Sequence, residues 1–152
     1  PEVPEDDTRF GDVVDPIAAG VSPISDPDNI VFDENGNLWV ATDGQFFSRS
    51  AGFTQNDGVF AVPVEGENRG LLRQFLSGIP GGEVCGPEFS GDQRAFFCAI
   101  QHPHDSDGGG GNAFDPKDFD GNPIPRWPVG ETQLSKPSLV GVYSRRGDKI
   151  GL

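Results

Sequence analysis

The chain has 152 residues, with 11 Lys+Arg against 24 Asp+Glu for a formal net charge of −13, and 34% of it is apolar. That balance argues against nucleic acid and anionic membrane as partners, which call for Lys and Arg to displace counterions, and it favours cations. A well-solvated or salt-adapted surface has the same composition. The length suits one domain with a modest core and leaves no room for a large multidomain enzyme. No run approaches the roughly 18 apolar residues of a membrane span and no basic-then-apolar leader is present, so the protein is expected to be soluble or to have lost a leader.

Gly 22 and Pro 14 make up about a quarter of the chain, so turns are numerous and no helix beyond a turn or two is expected. Phe 12 and Trp 2 supply the bulky apolar surface a fold needs. Residues 1–25 mix Pro, acids and small residues without period and predict an extended arm or loop. From Asp26 the texture changes. Asn29 to Asp33 and Leu38 to Thr42 are short β-rich runs, and Asn35-Gly36 between them offers the positive φ angles of a tight hairpin. Gly58 to Val62 and Leu71 to Leu76 continue the pattern, predicting a four-stranded antiparallel meander.

The pattern then repeats. Phe32 to Ala41 lies over Phe89 to Cys98 at an offset of 57, aromatic on aromatic. Ser138 to Val142 echoes Gly58 to Val62, and Ile150-Gly151-Leu152 predicts a truncated fourth strand after a turn at Arg145 to Lys149. The expected fold is all-β: two four-stranded antiparallel meanders resembling blades of an incomplete β-propeller, a fold that needs roughly four to eight blades. The expected units are 26–82 and 83–152, the second carrying a loop insertion over 102–136. An exposed blade edge is an aggregation hazard, which favours a piece of a longer polypeptide.

Cys85 and Cys98 lack a metal-ligand spacing. If the second hairpin pivots about Gly91-Asp92, opposed residue numbers sum to 183, which sets the two cysteines across from each other and permits a disulfide. A bulge at Pro87 would spoil that register, leaving two small thiols.

Blade-initial loops and strand ends are where a propeller presents chemistry. Asp26, Asp28, Asn29 and Glu83 precede or open first strands, and Asp43 and His102 close second strands. Such oxygen donors suit calcium, and Asp-Pro-Asp also serves simply to cap a turn. His102 and His104, two apart on an extended segment, would point their rings to one side and meet a metal or phosphate; solvated loop histidines are the alternative. Asp105, Asp107, Asp115, Asp118 and Asp120 lack the closing Glu of an EF-hand loop. No G-x-S-x-G, P-loop or H-E-x-x-H occurs, so serine hydrolase, nucleotide-binding and zincin readings lack support.

Two stretches go further. Asp26 to Gly44 (DPDNIVFDENGNLWVATDG) resembles a segment of PhoX-type alkaline phosphatases that gluconolactonase-like propellers partly share. Glu83 to Phe89 (EVCGPEF), Asp92-Gln93-Arg94, Ile100-Gln101-His102-Pro103 and Lys136 to Val140 resemble a second segment of the same family, and the IQHP element is the specific one. The resemblance covers about residues 26–105 and 135–145 and corresponds to the C-terminal part of a longer enzyme. It implies an exported protein, periplasmic or secreted, that hydrolyses phosphomonoesters with calcium and iron. It also implies Glu83, Asp28, Asn29 and Asp43 as metal-site residues and His102 as catalytic, near the phosphate. The iron-holding cysteine and the remainder of the propeller would come from an N-terminal region, leaving these residues alone inactive. The competing expectations are a non-catalytic, cation-dependent binding module and a lactonase-like hydrolase.

Overall fold

The computed structural model describes residues 22, 24–44, 56–104, 123, 126–128 and 134–151. The 1–25 arm, apart from its last residues, and most of the 102–136 insertion with its five aspartates lie outside them. Seven strands run in chain order: β1 (Pro27–Phe32), β2 (Leu38–Thr42), β3 (Gly58–Val62), β4 (Arg73–Ser77), β5 (Glu83–Phe89), β6 (Ala95–Gln101) and β7 (Ser138–Tyr143). They form two antiparallel sheets, β1-β2-β3-β4 and β5-β6-β7, and no helix occurs among the described residues. The described residues are all-β, as the turn-rich composition predicts.

The first hairpin forms where expected, with Phe32 opposite Leu38. Of its Asn-Gly pair only Gly36 takes a positive φ, of 81°. The Asp33 carboxylate does the rest: Oδ1 accepts from the backbone N–H of Asn35 and Asn37 at 2.9 Å each, and Oδ2 accepts from Trp39 Nε1 at 3.2 Å. One buried acid therefore fixes both the turn and the indole behind it.

Trp39 sits at the centre of the core between the sheets. Its ring lies 5.0 Å from Phe75, 5.1 Å from Phe89 and 5.6 Å from Phe96, and Phe89 and Phe96 meet edge to face at 5.2 Å. Ala41, Val59, Ala61, Val84, Cys98 and Ile100 complete the cluster. Alternation along β6 places Phe96, Cys98 and Ile100 inward and leaves Phe97 on the outer face. Ile30 and Phe32 on the first sheet, and Leu139 and Tyr143 on the second, remain exposed.

Two sequence expectations are corrected here. The second sheet has three strands, not four. After the turn closed by Gly147 N–H to Ser144 C=O, the chain leaves the β7 edge: Ile150 N–H donates to Gln93 C=O at 2.7 Å and Lys149 Nζ pairs with Glu34 at 2.6 Å. The cysteine register also differs. The β5–β6 turn centres beyond Asp92, with Gln93 at φ 59°, so Phe89 faces Phe96, and a bulge between Cys85 and Glu88 then sets Cys85 opposite Ala99. Cys98 points into the core while Cys85 faces outward, and both are free thiols.

Candidate functional site

Glu83 opens β5 and pairs with Gln101 at the end of β6. Asp28 occupies a bulge at the start of β1, and Asp43 follows the end of β2. Because β5 packs against β1 and β2, these strand ends meet at one rim. Burial, with the negative charges of Asp43 and Asp28, pushes the Glu83 carboxyl above its usual range, against the hydrogen bond from Gln101 and the influence of His102. Burial and the same three carboxylates raise the Cys85 thiol. Negative charge thus converges on a carboxylate whose side chain is only 8% exposed.

Local geometry fixes each member. Asn29 Nδ2 donates to Asp28 Oδ2 at 2.8 Å, and Asn29 Oδ1 accepts from the Gly86 N–H at 3.0 Å, joining β1 to the β5 bulge. The Asp43 N–H donates to the Asp26 carbonyl at 3.0 Å, with Asp26 held at φ 50°. Behind Asp43, Asp57 is buried and accepts from Thr42 Oγ1 at 2.8 Å and from the Gly44 N–H at 3.0 Å. At the second strand end, Gln101 Nε2 lies 2.5 Å from Glu83 Oε2 and 2.6 Å from His102 Nε2, and His102 Nε2 lies 3.0 Å from Glu83 Oε2. His102 and Asp26 are non-glycine residues at positive φ, a conformation that costs about 1–3 kcal/mol each and is held by the surrounding contacts.

The structure therefore places Asp28, Asn29, Asp43, Glu83 and His102 around one rim. It does not unite the two histidines. Residues 102–104 turn instead of extending, with φ of 32° at His102 and 63° at His104, so the rings diverge. His104 is buried, with Nδ1 against the Pro80 carbonyl at 2.9 Å and Nε2 accepting from the Trp127 N–H at 3.3 Å. Burial lowers its pKa, which keeps it neutral with the proton on Nδ1. It anchors the chain and has no role at the rim. Pro103 was the available signal, since proline has no N–H to donate to a ladder and so marks the end of β6.

Aspartate and glutamate oxygens are the donors hard cations take. Among the described residues, however, no group of three His, Cys, Asp or Glu side chains is arranged to hold a metal ion. The rim residues Asp28, Asp43 and Glu83 are donors of that kind, and by themselves they do not make a three-donor shell. A groove of about 380 Å³ between β4 and β7, floored by Trp39 and Phe75, lies at the other end of β6 and contains none of these residues.

Comparison with known proteins adds an independent line. The family model described as Alkaline phosphatase PhoX matches residues 6–104, which takes in β1 through β6 and begins upstream of the quoted motifs. Among solved structures, the chain is similar to Pseudomonas fluorescens PhoX in complex with vanadate, a transition state analogue, at 28% identity and a TM-score of 0.55. The match covers 82% of this chain and 18% of that one, so these residues span less than a fifth of that protein's length. No curated protein matches the chain.

Proposed function

The chain belongs to the alkaline phosphatase PhoX family, and from that premise we propose that it is the part of a phosphomonoester hydrolase that carries one acidic wall of the active site. The observation that carries the reading is the convergence of Glu83, Asp43 and Asp28 from three strand ends on one rim. Like charges so placed repel unless a cation joins them. Calcium and iron, when bound, supply the positive charge that draws in a phosphomonoester and stabilises the charge developed as phosphate is transferred. Asp28, Asp43 and Glu83 offer carboxylate oxygens to the cluster, and Asn29 keeps Asp28 turned toward the rim. His102, beside Glu83 and with its side chain 49% exposed, is on this reading the residue that exchanges a proton with the phosphate.

The two sheets are, on this reading, adjoining blades of a propeller, repeated at an offset of 57. The exposed outer faces bearing Ile30 and Phe32, and Leu139 and Tyr143, support further sheets packed on both sides. On this reading the rest of a longer protein supplies those sheets and the iron-holding donors, and the isolated residues are inactive. Export to the periplasm or medium accords with the family, and no helix among the described residues is long and apolar enough to cross a membrane.

The test is hydrolysis of a generic phosphomonoester by the full-length protein with calcium, beside a Glu83→Ala variant. Activity should fall by about 100-fold. Undiminished activity in that variant removes Glu83 from the site and the reading with it.

A further inference from the structure

We infer that Gln101 is a positioning residue of this rim, holding the Glu83 carboxylate so that Oε2 is occupied by protein and Oε1 is presented to a cation; the inference rests on the proposed role of Glu83. Gln101 lies directly across the β5–β6 ladder from Glu83, so their side chains share one face of the sheet. The orientation of its amide is set by chemistry. Nε2 lies 2.5 Å from Glu83 Oε2, and the amide oxygen lies 3.7 Å from Cys85 Sγ, where it accepts from the thiol. The reversed amide would set oxygen against carboxylate oxygen at 2.5 Å and leave the thiol without an acceptor.

The same nitrogen lies 2.6 Å from His102 Nε2. Neighbours in a strand point to opposite faces, and here the left-handed φ of 32° at His102 brings its ring back beside Gln101. In the neutral ring with its proton on Nδ1, Nε2 accepts the second amide hydrogen. In the protonated ring Nε2 donates to Glu83 Oε2 across 3.0 Å. Either way the bonds fall on Oε2, and Oε1 has no hydrogen-bond partner among the described residues. A carboxylate pinned by one oxygen has lost its freedom to rotate before the cation arrives, which is how an outer amide strengthens an inner ligand.

The experiment uses the full-length protein with Gln101→Met, which keeps length and packing but has no amide, and Glu83→Ala for comparison. Calcium binding is followed by calorimetric titration, thermal melting is measured in EDTA, and phosphomonoester kinetics are taken across calcium concentration. Gln101→Met should weaken calcium binding about tenfold, leave the melting temperature in EDTA unchanged, and recover the parent kcat once calcium is raised to saturation. Parent-like calcium affinity in Gln101→Met alongside lost affinity in Glu83→Ala overturns the inference and spares the proposed function. A lowered melting temperature with no rescue by calcium overturns it also, since Gln101 would then be holding the fold. Parent-like affinity in Glu83→Ala overturns both readings.

Discussion

Replacing Phe96 with alanine tests whether one aromatic cluster joins the two sheets. The ring is fully buried, 5.2 Å from Phe89, 5.5 Å from Phe75 and 5.6 Å from Trp39. Returning a Phe-sized apolar surface to water costs about 1.5–3 kcal/mol. The contacts with Phe89 and Phe75 are edge to face, at interplanar angles of 70° and 75°, and each adds about 0.5–1.5 kcal/mol. The Trp39 pair, tilted at 31°, adds less. These contributions place Phe96→Ala near 4 kcal/mol, within the roughly 3–5 kcal/mol of buried Phe-to-Ala changes. The adjacent Phe97 points outward, is 37% exposed and lies over Gly141, so Phe97→Ala should cost about 1 kcal/mol. Urea unfolding of each variant, followed by tryptophan fluorescence, reads the difference. With a slope of about 2 kcal/mol per molar, the midpoint falls by about 2 M for Phe96 and about 0.5 M for Phe97. Equal losses from the two neighbours, or less than about 1.5 kcal/mol for Phe96, would refute the shared core.

Two further predictions concern the rim. Because burial and Asp43 raise the Glu83 carboxyl above its usual 4.5, the folded state holds that proton more tightly than the unfolded chain. Its contribution to stability is full below pH 4.5 and is lost as pH rises through the raised value; Glu83→Gln should flatten that fall in thermal melts run from pH 4 upward, and an unaltered slope refutes the assignment. In a thiol-labelling experiment Cys85 reacts slowly in the native protein, held up by burial and nearby carboxylates, while Cys98, pushed up to about 11 in the core, reacts only on unfolding. Two thiols counted after denaturation without reductant are expected, and a mass corresponding to a disulfide would refute the register of β5 and β6.

The strands were legible because their signals are local. The short apolar runs Leu38 to Thr42 and Gly58 to Val62, and Asn35-Gly36 between Asn29 to Asp33 and Leu38 to Thr42, need no tertiary knowledge. The fourth strand of the second sheet was not legible, because Ile150 carries the same β propensity whether it lies beside β7 or donates its N–H to Gln93, as it does here. What decides between them is the turn at Ser144 to Gly147 and the Lys149–Glu34 pair, which joins residues 115 apart. Local pattern fixes strand existence, and long-range partners fix strand company.

The site was half legible for a related reason. Asp28, Asp43, Glu83 and His102 could be named from their places at strand ends, since those places survive a small error in pairing. The partner that orients Glu83 could not. A turn centred on Gly91-Asp92 sets residue 83 across from Ile100 and Cys85 across from Cys98. The turn that forms, with Gln93 left-handed and a bulge at Gly86, where φ is +58°, sets Glu83 across from Gln101 and Cys85 across from Ala99. A one-residue slip exchanges the two faces of a strand. Under the expected register Glu83 would face Ile100 instead of Gln101, and two unconnected thiols become a candidate disulfide. Both pairings follow from one register, so labelling that finds Cys85 free and Cys98 sealed in the core supports the register that sets Gln101 across from Glu83.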